Sequence, residues 1–287
     1  MSQMTSQDTP TSRVVAVGAL GGSGTRAIAQ VLMDAGIYMG DDLNSANDNL
    51  LFTRLFKDPR FRERADAGEV AARFRVLEAW MAQDRLQLSQ AVLLLRSTRS
   101  NPTIDGDVRF LTRVLSKLVS RPVQRTLWGW KEPNTQLWVE EIGAHFPDLR
   151  YLHVLRHGLD MAFSANRHQL LNWGPRFGIQ VEEGERPESL TWKQLEYWIR
   201  STRAALEAAE RLPGGYLLIN HGRFCREPRK EIDRMLDYIG VDPEPGKREA
   251  LYAIPRSPSS EGRFREHDLG VFDRAQLDFL RDMGFEL

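Results

Sequence analysis

An α/β fold, with a parallel sheet covered by helices on both faces and carrying a helical insertion, is what the sequence predicts, and three observations predict it. Four short apolar runs, Arg13–Val17, Thr126–Trp130, Arg150–Leu155 and Tyr216–Asn220, each lead through a loop into a helix-forming stretch. Such alternation is the pattern of parallel strands joined by crossover helices. The loop after the first run, Gly18 to Arg26, reads GALGGSGTR, and its glycines suit a tight strand-to-helix turn. Between 41 and 125 no strand pattern appears, whereas Val70, Phe74, Leu77 and Met81, and again Val108, Leu111, Leu115 and Leu118, recur at helical spacing.

The elements follow in order. After the glycine loop, Ile28, Val31, Leu32 and Ala35 give the first helix one apolar face. The second run ends in Lys131-Glu-Pro-Asn134 and predicts a short helix over Thr135–His145 through Leu137, Val139 and Ile142. The third ends in Arg156-His-Gly-Leu-Asp160 and predicts a helix through Ser164 toward Gln169. Residues 172–187, rich in glycine and proline, read as a long loop of the kind that is either a lid or disordered. The fourth run leads to a helix after Pro228 with Ile232, Met235, Leu236 and Ile239 on one side. Residues 13–287 read as a single domain with its insertion at about 41–125, and residues 1–12 as a disordered polar tail. Ligands of parallel sheets bind beyond the carboxyl ends of the strands, where the glycine loop, Lys131 and Arg156 all fall.

Composition narrows the function. With 39 basic and 39 acidic residues among 287, the chain has no overall field to hold a nucleic acid, and none is expected as a partner. Cys225 is the single cysteine, so no intramolecular disulfide is possible and a cytoplasmic setting is expected. No stretch approaches the length of a membrane span, so no membrane anchor is expected. The six histidines lack companions at ligand spacing, and no metal is predicted.

A glycine-rich turn between strand and helix turns backbone N–H groups onto an anion and adds the positive end of the helix. The loop departs from GxxxxGK[ST], because Thr25 and Arg26 follow Gly24 where a lysine and a magnesium-holding hydroxyl would stand. Nor does a later strand end in a magnesium-holding aspartate, since the third runs into Arg156 and His157. Magnesium–ATP chemistry is therefore disfavoured.

Four segments together resemble the sulfotransferases that use 3′-phosphoadenosine-5′-phosphosulfate (PAPS), whose fold is P-loop NTPase-like. Gly22-Ser-Gly-Thr-Arg26 is similar to the loop that holds the 5′-phosphosulfate in that family, most of all to its KGGTR variant. The resemblance implies nucleotide contacts from Gly21, Gly22, Ser23, Gly24, Thr25 and Arg26. Arg156-His-Gly-Leu-Asp-Met-Ala-Phe-Ser164 resembles the RHPxDxxxS element, which implies that Arg156 and Ser164 bind the 3′-phosphate. Guanidinium and hydroxyl donors suit that task. Trp130-Lys-Glu-Pro-Asn134 resembles the KxP element and gives Lys131 the phosphosulfate. Ser259-Ser-Glu-Gly-Arg-Phe264 is similar to the loop that closes over the nucleotide, implying Gly262 and Arg263.

Two departures stand out. Gly22 occupies a position where many members carry a cation, so compensating charge is sought from Lys131 and from Arg26, which either faces the sulfonate or packs against the neighbouring strand. The glutamate that serves as base in related glycan enzymes has no counterpart. Asp48 is the residue expected to take the acceptor proton, with Asp42 as competitor and helix capping as the structural alternative. His157 is read as shaping its loop. The expected reaction is sulfonate transfer from PAPS to a hydroxyl of a carbohydrate, lipid or other small molecule, leaving adenosine 3′,5′-bisphosphate, with Lys131, Asp48 and Arg26 as catalytic residues. A small-metabolite kinase and a nucleotide-binding protein without catalysis are the alternatives.

Overall fold

Residues 13–101 and 108–287 are described by a computed structural model; the expected tail at 1–12 lies outside them. Four strands, β1 (Arg13–Ala19), β2 (Leu127–Lys131), β3 (Leu149–Leu155) and β4 (Tyr216–Asn220), form an all-parallel sheet in the order β2-β1-β3-β4. The register pairs Val17 with Lys131, Ala19 with Val154 and Leu155 with Asn220. The ends of all four strands therefore open on one rim.

Helix α1 (Thr25–Asp34) follows β1, and among the described residues five helices lie between α1 and β2: α2 (Leu50–Phe56), α3 (Pro59–Arg64), α4 (Ala67–Met81), α5 (Leu88–Ser100) and α6 (Val108–Val119). After β2 a 3-10 turn, Pro133–Trp138, runs into α7 (Val139–His145). After β3 come α8 (Gly158–Ala162), α9 (His168–Trp173) and the long α10 (Pro187–Ala209). Beyond β4 are α11 (His221–Arg226), α12 (Pro228–Ile239), α13 (Pro245–Tyr252) and α14 (Arg274–Asp282).

Alternation along the strands sorts the core into two layers. Val15, Val17, Leu152, Val154 and Ile219 face α1 and α12, meeting Ile28, Val31, Leu32, Ile232 and Met235. Val14, Ala16, Trp128, Trp130 and Tyr151 face the other way, toward α7, α10 and the helices of 50–119. That second layer is aromatic: Phe52 stacks on Trp130 at 5.5 Å, and Phe56 meets Phe74 at 4.4 Å and Trp138 at 5.2 Å.

Two expectations change in detail. The helix expected through Ser164 is interrupted, α8 ending at Ala162 and α9 starting at His168, with Ser164 in the break. The loop expected at 172–187 carries a 3-10 turn, Gly174–Phe177, whose Gly178 C-cap takes φ +72°. Gln194 reaches into the α8–α9 break, its amide donating to the carbonyls of Ser164 and Asn166 at 3.2 and 3.4 Å. Carbonyls partnered from outside need no helix of their own.

Gly129 has a packing reason. A Cβ there would lie 2.1 Å from the Val15 carbonyl oxygen, inside the β1–β2 ladder. Gly129→Ala is expected to cost about 2–3 kcal/mol, since backbone has nowhere to yield; urea unfolding checks it, and an unchanged midpoint would show that the ladder tolerates the methyl.

Candidate active site

The glycine loop spans 20–24 between β1 and α1. Gly22 and Gly24 take φ +91° and +81°, a backbone closed to most side chains. Gly24 is the N-cap of α1, and no side chain caps that end, so the first N–H groups of a ten-residue helix face the strand rim. Ser23 and Thr25 are buried and Arg26 is exposed.

His221, at the end of β4, roofs the loop. A Cβ on Gly24 would come within 2.0 Å of its Nε2. Gly24→Ala should therefore lose about 2–4 kcal/mol through overpacking and strained φ. Adding His221→Ala should return all but about 1 kcal/mol, the backbone share; a double variant no more stable than the single would disprove the contact.

Arg156 lies where β3 ends and joins two segments more than 200 residues apart. Its guanidinium donates to the Gly22 carbonyl at 3.1 Å and to the Ser260 hydroxyl at 2.7 Å. Burial lowers its pKa from the ordinary value; Asp160 opposes the shift and nearby Arg263 adds to it. The closing loop is fixed by buried Asp160, whose carboxylate accepts from the Gly262 N–H at 3.0 Å and the Phe264 N–H at 3.5 Å. Arg263 folds back on the Ser260 carbonyl. His157 accepts from the Leu159 N–H at Nδ1, which leaves Nε2–H to donate to the Glu286 carbonyl at 2.6 Å, and its ring stacks on Phe264. It is committed to shaping that corner. Ser164 is half-buried with its hydroxyl accepting from the Asn166 N–H, and makes no recorded contact with Arg156.

The second half of the site forms where β2 ends. Lys131 is buried, and its ammonium donates to the Ala46 carbonyl at 2.6 Å and to the Asp48 carboxylate. Burial pulls the Lys131 pKa below its ordinary value, against the pull of Asp48. The other Asp48 oxygen accepts from the Asn44 amide at 2.9 Å. Capping of α2 falls to Asn49, whose side chain accepts from the Phe52 N–H, so Asp48 is not a helix cap. Asp42 pairs with Arg113 at 3.4 Å and Arg54 at 4.0 Å, so it is committed away from Lys131. Asn47 donates to the Arg26 carbonyl at 3.4 Å, laying the 44–48 loop against the start of α1.

Next to this pair, buried Glu132 accepts from the Asn134 N–H at 2.7 Å and from Lys57 at 3.0 Å. Burial works against the Lys57 ammonium, but Glu132 and then Asp48 outweigh it and its pKa rises. Lys131 against Asp48 and Lys57 against Glu132 thus form two ion pairs in one partly buried cluster.

Sequence reasoning missed Asp160, His221, Ser260 and Lys57. Asp160 had a signal, because it stands inside the segment that carries Arg156 and Ser164. His221 had the weaker one of following a strand. Ser260 and Lys57 are recognisable only once the fold brings them in. Among the described residues no three His, Cys, Asp or Glu side chains converge to hold a metal. His153 is fully buried beside the Tyr151 hydroxyl, and burial brings its pKa down to about 4. Nor is any described helix long and apolar enough to cross a membrane.

Comparison with solved structures finds the same architecture. The sulfotransferase domain of the Synechococcus PCC 7002 olefin synthase superposes with a TM-score of 0.50 at 14% identity, covering 100% of each chain. The sulfotransferase domain of the curacin biosynthetic pathway gives 0.52 at 13%, covering 96% of this chain and 99% of that one. Sulfotransferase STF9 of Mycobacterium avium gives 0.51 at 15%, covering 98% and 78%. These identities speak for the fold alone. No match was found among curated proteins. At the level of sequence the description "Sulfotransferase family" matches residues 15–245, a span that takes in the glycine loop, Lys131 and Arg156; with that match over most of its length, the chain belongs to the sulfotransferase family.

Proposed function

We propose that this protein transfers a sulfonate from PAPS to the hydroxyl of a small-molecule or glycan acceptor. The observation that carries the reading is the reach of Arg156 to both the Gly22 carbonyl and the Ser260 hydroxyl, which gathers three anion-binding segments on one rim. The donor set fits a doubly phosphorylated nucleotide. Backbone N–H groups of the glycine loop and α1 suit a 5′-phosphate, and the Arg156 and Arg263 guanidinium groups suit a second phosphate near the closing loop. The carboxylate beside them, Asp160, is spent on backbone N–H groups and does not oppose an anion. Ser164 would join the 3′-phosphate only by a rotation away from Asn166.

When bound, PAPS supplies a sulfonate already activated by its mixed anhydride with phosphate. Lys131 then answers the charge that develops on the bridging oxygen, exchanging Asp48 for that oxygen. Asp48, so released, accepts the acceptor's hydroxyl proton, while Asn44 holds its second oxygen in place. Arg26, exposed at the first turn of α1, supplies charge where Gly22 cannot. Adenosine 3′,5′-bisphosphate leaves, and no metal takes part.

The test is turnover of labelled PAPS over hydroxylated acceptors from several classes, with EDTA added and with ATP–magnesium as the contrast. Transfer that persists in EDTA is expected. Transfer seen only from ATP with magnesium would make the protein a kinase, and bisphosphate binding without turnover on any acceptor would remove the catalytic part of the reading.

A further inference from the structure

Large apolar side chains exposed among the described residues concentrate on two neighbouring helices. On α6, Val108, Leu111, Leu115 and Val119 follow one another at helical spacing on the side away from the core, with Val108 79%, Leu115 56% and Val119 83% exposed. The opposite side of α6 is what holds the helix down: Phe110 stacks on Trp80 and buried Lys117 reaches Asp41 and Asp84. On α5, Leu88, 71% exposed, opens a face that continues through Val92 to Arg96 and Arg99. The Leu86 N–H donates to the Lys117 carbonyl and the Val123 N–H to the Gln83 carbonyl, both at 2.9 Å, so the start of α5 lies beside the end of α6. The two stripes make one surface.

The charge around that surface is predominantly positive, although Arg113, Lys117 and Arg125 are paired with Asp42, Asp41 and Asp84. The described stretches 85–101 and 108–125 contain eight arginines and lysines and no aspartate or glutamate. Arg85, Arg96, Arg99 and Arg121 are exposed and form no ion pair with a described residue. An apolar ridge on two exposed helix faces, edged by guanidinium groups without an ion-pair partner among the described residues, matches the boundary of an anionic bilayer, where leucine and valine enter the acyl region and arginine meets phosphate. A second copy of the chain is the poorer occupant, since like charges would face each other across the contact.

We infer that the outer face of α5 and α6 docks this protein on anionic lipid surfaces. This is attachment at the surface, without a spanning segment, and it is independent of the chemistry at the strand rim. The full chain is sedimented with vesicles of phosphatidylcholine alone and with vesicles containing phosphatidylglycerol. Binding to the anionic vesicles is expected to be at least about tenfold tighter and to fall with added salt. Leu111→Asp with Leu115→Asp, on exposed positions, should weaken it by about tenfold or more, with circular dichroism and bisphosphate binding unchanged. The assignment is overturned if the chain ignores both vesicle types, or if the double variant binds like the parent. It is equally overturned if light scattering shows a dimer that the double variant separates, which gives the face to a second copy.

Discussion

Lys131→Met is expected to lower kcat by about a hundred- to a thousandfold, the loss that follows removal of one preplaced group from a developing anion. The lysine meets both requirements for such an effect: it is buried, so its field is poorly screened, and it is held at two points by Ala46 and Asp48. Structure and chemistry are separable here. Removing Lys131 alone takes away the direct partner of Asp48, leaving it Asn44 and the more distant field of Lys57, and breaking a buried pair in this way costs up to about 3–5 kcal/mol. Lys131→Met combined with Asp48→Asn removes both charges and should recover much of that stability, as read by thermal unfolding, while leaving transfer of labelled sulfonate as slow as in the single variant. A double variant that regains activity would show that Lys131 matters only as the partner of Asp48.

Arg156→Ala is expected to weaken binding of adenosine 3′,5′-bisphosphate by about a hundredfold or more in isothermal titration, the range for truncating a charged, partly desolvated hydrogen-bonding partner. The substitution also frees Gly22 and Ser260 from each other, so part of the loss would come from a looser closing loop. Arg156→Lys separates the two contributions. A lysine restores charge without the planar fork that reaches two acceptors, and should recover about a tenth of the affinity or less. Titration curves that coincide for the parent and Arg156→Ala would take the nucleotide away from this corner altogether.

The strands were readable because each is a short apolar run closed by glycine, lysine, arginine or asparagine, and all four lie within two residues of where periodicity puts them. The glycine turn was equally readable, since Gly22 and Gly24 sit at positive φ where few other residues would stand. What periodicity missed depends on distant partners. The break around Ser164 is held open by Gln194 from α10, and no local pattern announces a carbonyl partner 30 residues downstream. The pairing of Lys131 with Asp48 needs the 44–48 loop to lie across the end of β2, a fact of topology. His221 has no local signal beyond following a strand, yet its ring occupies the space a side chain at 24 would need.

The order in which the chain is made gives the closing loop a further significance. The sheet has all its strands once residue 220 has been synthesised, but Ser260, Gly262 and the Glu286 carbonyl that positions His157 come later. The residues of all four strands are therefore made before one wall of the proposed site, and the sheet is completed in sequence ahead of the segment that Arg156 and Asp160 hold.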